Sequence, residues 1–110
     1  MSDQPKRLFS ADVDAAGTDL CTADVNTAVQ FSGCSVANTD TVPRWITFKI
    51  TPNGGSAAEA VYRAVVPVAR PFVASPVIGQ CLNAGDKITA FPEVDNVLKV
   101  VLSGFVSTAE

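Results

Sequence analysis

Not one of the 110 residues is a histidine. That absence removes Ser-His-Asp and Cys-His catalysis and every histidine-assisted zinc site, because each needs an imidazole to move a proton or ligate the metal. Cysteine is sparse as well: Cys21, Cys34 and Cys81 include no CxxC spacing, which leaves no structural zinc site. An odd cysteine count without a secretion signal reads as buried free thiols, and a Cys21–Cys34 bridge across adjacent antiparallel strands is the alternative. Charge is thin, at 17% of residues against the ~25% usual in soluble domains. The eight basic residues are scattered singly, apart from the pair Lys6-Arg7, and the net charge is −3. No basic stripe can neutralise phosphates, so no nucleic-acid partner is expected. No stretch approaches the ~18 uninterrupted apolar residues of a membrane span, and Met1–Arg7 lacks the apolar core of a signal peptide. The chain is therefore expected to be made and left in the cytoplasm unless something assembles it elsewhere.

The remaining sources of chemistry are weak. Gly54-Gly55-Ser56 is not followed by the glycine and lysine of a phosphate-binding loop, and neither GxSxG nor GxGxxG occurs. Asp12 with Asp14, and Glu93 with Asp95, alternate onto one side of an extended segment and nominally mimic a hydrolase pair. Both pairs fall in predicted turns, where solvated carboxylates are commonplace. Asp12, Asp14 and Gly17 resemble the opening of a calcium loop, yet Ala16 and Ala23 stand where the fifth and twelfth ligands are required. No catalytic, cofactor or metal site is expected, and the chain does not read as an enzyme.

What the chain does have is apolar residues in strand-like alternation, at 47% of the whole. Residues 1–7 read as a flexible arm and 8–110 as a single domain. Leu8–Val13 is a short strand candidate, and 12–17 a turn. From Asn26 to Asn38 the alternation changes phase. Val29 and Phe31 share a face with Cys34 and Val36 only if a bulge at Ser32-Gly33 adds one residue. In Arg44–Thr51, Ile46, Phe48 and Ile50 alternate strictly with Trp45, Thr47 and Lys49. Residues 52–56 mark a reversal, and Ala57–Val66 favours a strand over a helix because Val61, Tyr62, Val65 and Val66 are β-formers. Pro67, Pro71 and Pro76 indicate an edge or an irregular connection. Leu82–Ile88 reads as a tight corner. Gly85 permits the reversal there, and the Asp86 side chain holds it through local backbone hydrogen bonds. Ile88 and Ala90 face one way in the following strand. After a turn at 92–96, Leu98, Val100, Leu102, Gly104 and Val106 oppose Lys99, Val101, Ser103 and Phe105. Short strands with turns at intervals of about ten residues indicate an all-β fold. The expected architecture is an antiparallel β-sandwich, jelly-roll or immunoglobulin-like, with about 7–8 short strands and an N-terminal arm.

Alternation places Trp45, Phe91, Val101 and Phe105 opposite the better core faces of their strands. Clustered together, they would mark a contact with another chain, of which a second copy is the simplest. Otherwise a curling sandwich takes some of them inside, or the face assignment is inverted. Addition at a sheet edge, by the N-terminal arm or the terminal strand, is a further route to assembly. A carbohydrate-binding module is the competing reading, with Trp45, Tyr62 and Phe91 as a stacking platform and Asp86 or Asn83 as polar partners for a glycan.

From Trp45 onward the chain resembles a group of small β-sandwich proteins of tailed-bacteriophage particles. The elements that carry the resemblance are 45–50 (WITFKI), 53–57 (NGGSA), 62–66 (YRAVV), the corner 82–88 (LNAGDKI) and the closing strand 97–105 (VLKVVLSGF). Residues 1–40 depart from the pattern. The resemblance implies an accessory structural protein of the virion, either capsid decoration or a collar, neck or tail component. Its implied partners are copies of itself and the major capsid protein or neck and tail proteins, with neither nucleic acid nor membrane involved.

Overall fold

The computed structural model describes residues 3–24, 26–52, 59–68 and 72–108. Period-two alternation governs nearly all of it, and the strands are β1 (Asp3–Asp12), β2 (Thr18–Thr22), β3 (Thr27–Asn38), β4 (Arg44–Thr51), β5 (Glu59–Val66), β6 (Phe72–Val73), β7 (Cys81–Leu82), β8 (Lys87–Pro92) and β9 (Leu98–Thr108). One turn of 3₁₀ helix, Ser75–Val77, interrupts them. All pairings are antiparallel. The first sheet has the order β1-β9-β3, with β6 and β7 both pairing with β3, and the second has the order β2-β8-β4-β5. Their inner faces enclose one core, the arrangement of a β-sandwich.

The core is made by the residues that alternation selects. Ile46 and Phe48 from β4, Ile88 and Ala90 from β8, and Leu98, Val100 and Leu102 from β9 are fully buried. Each fully buried Ile, Leu or Phe side chain contributes about 1.5–3 kcal/mol. The phase change in β3 is resolved by a bulge: the register against β9 shifts between Phe31 and Gly33, so Val29, Phe31, Cys34 and Val36 all reach the core. Between β5 and the corner, the described residues form only two-residue strands on either side of the 3₁₀ turn; Pro71 lies outside the described residues.

The corner between β7 and β8 carries the chain from one sheet to the other. Gly85 has φ +86°, a conformation that L side chains resist. The Asn83 N–H donates to Asp86 Oδ2 at 3.0 Å, and the Asp86 N–H donates to the Asn83 carbonyl at 2.9 Å. The corner is tied to the end of β2 by Gly85 N–H to Ala23 O at 2.8 Å and Ala23 N–H to Asp86 O at 2.9 Å. Gly85 and Asp86 thus play the parts their sequence positions indicated.

A second tie between the sheets comes from Asn38, at the end of β3. Its Nδ2 donates to the carbonyls of Val42 and Val66, each at 3.0 Å, and its Oδ1 accepts the Asp40 N–H at 2.8 Å. Val66 belongs to β5, so one amide spans the two layers.

Two expectations change, and β2 adds a strand that alternation does not show. From Asp3 the supposed arm is the first half of β1, paired with β9 from Asp3–Ser107 onward. Backbone hydrogen bonds to β9 organise this polar segment, which alternation cannot reveal. Residues Thr18–Thr22 form a strand because they pair with β8, although a register shift between Asp19 and Cys21 breaks their alternation. With β2 the described strands number nine, close to the about 7–8 expected. All three cysteines are free, but only Cys34 is buried: Cys21 is half-buried and Cys81 exposed. Cys21 lies in the second sheet and Cys34 in the first, so they do not sit on adjacent strands.

Candidate interaction faces

The four residues that alternation sets opposite the core do not form one cluster. Trp45 and Phe91, on β4 and β8, share the outer face of the second sheet, whereas Val101 and Phe105, on β9, lie on the outer face of the first. All four lie on outer faces, but the two sheets turn their outer faces in opposite directions.

On the second sheet, Trp45 and Phe91 line a groove of about 440 Å³ together with Ala15, Thr47, Lys49, Arg63 and Pro92. Pairing of Thr47 with both Arg63 and Phe91 brings three strands' side chains to one level. The Arg63 guanidinium carbon lies 4.3 Å from the centre of the Trp45 ring, and Lys49 Nζ lies 4.8 Å from that of Phe91. Both separations fit cation–π attraction. Thr47, though on the outer face, is only 8% exposed. Phe91 also packs against the turn at Gly17, where an added Cβ would come within 2.6 Å of its ring.

Carboxylates at this end of the sandwich hold backbone rather than face one another. Glu93 Oε1 accepts the Trp45 N–H at 3.2 Å while the Glu93 N–H donates to the Trp45 carbonyl at 2.9 Å. Arg44 joins Glu93 to Asp40, with Nη1 to Glu93 Oε2 at 3.3 Å and Nε to Asp40 Oδ2 at 2.7 Å. The Arg44 hydrogen bond, followed by the Thr41 N–H, holds the Asp40 carboxyl below its ordinary pKa. The Asp40 bond in turn raises that of Arg44. Asp95 Oδ1 accepts the Ala15 N–H at 2.7 Å. These bonds give the acidic residues of 93–95 a structural occupation. Among the described residues no group of three or more His, Cys, Asp or Glu could hold a metal. Burial pushes the Cys34 thiol up to about 12, and burial followed by the nearby Asp24 charge raises that of Cys21.

The glycan platform does not assemble. Tyr62 turns inward, stacked between Phe48 and Phe72 at centroid distances of 6.5 and 6.4 Å. Asn83 and Asp86 are bound into the corner at the β2 end, and the Trp45 ring is already covered by Arg63. Sequence reasoning missed Arg63 and Lys49. Alternation alone puts Lys49 beside Thr47 on the outer face, but the position of Arg63 over Trp45 follows from the β4–β5 register.

The first sheet's outer face has a different character. A groove of about 240 Å³ runs between Ser35, Ala37, Phe72, Val73 and Val101, with Lys99 as its one charged lining residue. Val73 is 54% exposed and Phe105, farther along β9, 41%.

No protein-family model and no curated protein sequence matches the chain. Its fold is similar to that of a protein of Bacillus endospore appendages, described as a family of disulfide-linked pili, with a TM-score of 0.57 and 13% identity over 99% of this chain and 88% of that one. It is also similar to a chain of infectious bursal disease virus, Gx strain, with a TM-score of 0.53 and 16% identity over 96% of this chain and 32% of the viral one. A chain of the T13 particle of the same virus gives a TM-score of 0.52 and 14% identity, over 94% and 30%. The chain spans about a third of the length of these two viral chains. At such identities the likeness is one of fold.

Proposed function

We propose that the chain is a non-enzymatic structural subunit that joins an ordered protein assembly through protein–protein contacts. The observation that carries this reading is the outer face of the first sheet. Val73 and Phe105 stand more than two-fifths exposed there, with Val101 and the small residues of β3 between them, while the register sets Arg7, Asp12 and Lys99 on the same face toward β1 and the strand ends. Large apolar side chains left this exposed on a sheet face mark contact with another protein. An open sheet face suits packing against a second layer better than enclosing a substrate. The folds of the endospore-appendage protein and the viral chains support the same reading by analogy, since those chains come from pili and virus particles.

Within that class, the resemblance of 45–105 to small proteins of tailed-phage particles favours a place in such a virion, decorating the capsid or serving as a collar, neck or tail accessory. The partners are then copies of the chain itself and the capsid, neck or tail proteins. The test is co-sedimentation of the purified chain with separated tailed-phage capsids and tails. Binding that is lost in the double variant Val73→Asp, Phe105→Asp supports the proposal. A chain that stays monomeric, binds neither particle and is retained by glycans overturns it.

A further inference from the structure

Three polar groups in the groove of the second sheet have no polar partner of their own. Lys49 and Arg63 lie over the rings of Phe91 and Trp45, and among the described residues neither meets a carboxylate within ion-pair distance. The other cations of this sheet and its ends are engaged: Lys87 lies 3.6 Å from Asp19, and Arg44 is held between Asp40 and Glu93. The third group is Thr47. Arg63 and Phe91 are its direct partners on β5 and β8, and Lys49 follows it on the same face of β4. Thr47 is only 8% exposed, yet its hydroxyl, open to the groove, has no hydrogen-bond partner among the described residues. Polar groups this far inside are normally hydrogen-bonded, so the partner left to Thr47 is whatever occupies the groove. Beside two cations, that partner is an anionic oxygen.

We propose that this groove binds carboxylate side chains of an extended acidic segment of a partner protein. A guanidinium held over an indole keeps its N–H edge for a carboxylate, so Arg63 takes one. Lys49 supplies the second charge, and the Thr47 hydroxyl donates from between the strands. Phe91, against which the Gly17 turn packs, gives Lys49 a fixed seat. Nucleic-acid bases and sugars stack on bare rings, whereas both rings here already carry a cation. A small free carboxylate on an open sheet face stays largely hydrated, while a chain segment brings more than one carboxylate to the two cations and covers the rings. That the carboxylates come from a protein rests on the reading of the chain as an assembling subunit. The contact is chemically distinct from the apolar one on the opposite sheet.

Trp45 is the only tryptophan, so its fluorescence reports on this groove alone. Titration of the purified chain with a blocked oligoglutamate should change that fluorescence saturably, and more weakly as salt is raised. An oligolysine of the same length should leave it unchanged. The net charge of −3 makes the contrast strict, because non-specific attraction favours the lysine peptide. Anisotropy of the dye-labelled oligoglutamate compares the variants. Lys49→Gln with Arg63→Gln should weaken binding by roughly tenfold or more, and Thr47→Val should weaken it several-fold, with far-ultraviolet circular dichroism showing that the strands are retained. No binding, or binding that survives the double substitution, overturns the assignment. So does glutarate that saturates the fluorescence change at the same carboxylate concentration as the peptide, which makes the groove a small-molecule site. An oligothymidylate that binds more tightly than oligoglutamate overturns it as well. If oligoglutamate fails to bind while Val73→Asp with Phe105→Asp abolishes assembly, the groove is misassigned and the subunit reading stands. If the peptide binds but the chain associates with neither itself nor any particle, the protein partner falls with the subunit reading and only the carboxylate site stands.

Discussion

Asn38→Asp replaces one atom of a buried side chain and removes both amide bonds at the end of β3, one to the following loop at Val42 and one to β5 of the second layer at Val66. In the native protein Nδ2 donates to Val42 O and Val66 O at 3.0 Å each, the latter bond buried between the sheets. A carboxylate keeps the volume and the acceptor of the Asp40 N–H but turns two attractive contacts into oxygen facing oxygen. A buried polar group that loses its partner costs about 1–3 kcal/mol, so the substitution should cost about 2–4 kcal/mol in total. At ~4 °C per kcal/mol for a domain of this size, Tm falls by roughly 10 °C or more in a calorimetric or circular-dichroism melt. The loss should also depend on pH. Beside two carbonyl oxygens and largely out of water, the introduced carboxyl is held above its ordinary pKa in the folded state. The folded protein then binds the proton more tightly than the unfolded chain does, so stability is regained as pH falls through that raised value and lost as it rises. Asn38→Leu, which cannot titrate, should be destabilised without this pH dependence. A Tm indistinguishable from that of the unaltered chain, or equal losses for the aspartate variant at neutral and mildly acidic pH, would refute the role assigned to Asn38.

Three further outcomes follow from the same geometry. Arg44→Met removes the bonds to Asp40 and Glu93; because the Asp40 carboxyl is held below its ordinary pKa, its contribution is present at neutral pH and is lost as pH falls through the lowered value. Urea midpoints of variant and unaltered chain should therefore differ at neutral pH and converge only in strong acid. Alkylation of the native protein with iodoacetamide, read by peptide mass spectrometry, should modify exposed Cys81 first and half-buried Cys21 more slowly, with Cys34 reacting only after unfolding; equal rates at Cys34 and Cys81 would contradict the packing of β3. Gly104→Ala places a methyl against the Gln30 carbonyl across the β3–β9 ladder and should cost about 1–3 kcal/mol in chemical denaturation; an unchanged midpoint would show that the two strands lie farther apart.

Much of the architecture was legible because burial and alternation coincide wherever a strand is long and one-sided. β4, β8 and β9 were read from their apolar faces. The bulge in β3 was readable because only an inserted residue brings Phe31 and Cys34 to the same side. The corner at 82–88 was readable because its glycine and aspartate are there for local reasons. β2 was not, since its register shift scrambles the one short pattern it has. The first half of β1 is polar and takes its structure from a partner about a hundred residues away in sequence, starting with Asp3 opposite Ser107. The same limit governs the candidate faces. Alternation tells which side of a strand Trp45 or Phe105 occupies, but only the strand order tells that they lie on opposite sides of the sandwich. The stacking of Arg63 on Trp45 depends on the pairing of Trp45 with Val65, a fact of register. The role of Asn38 was not legible, because it lies in reaching the carbonyls of a loop and of a strand in the other sheet.

The central claim is that the chain works by binding other protein chains through its sheet faces, and its self-association in solution tests this most directly. Sedimentation velocity of the unaltered protein should show species heavier than a single chain whose proportion grows with concentration. Val73→Asp with Phe105→Asp should shift that distribution toward the single chain while the circular-dichroism spectrum stays that of the folded sandwich. A single species of one-chain mass at every concentration, unchanged by the double substitution, would contradict it.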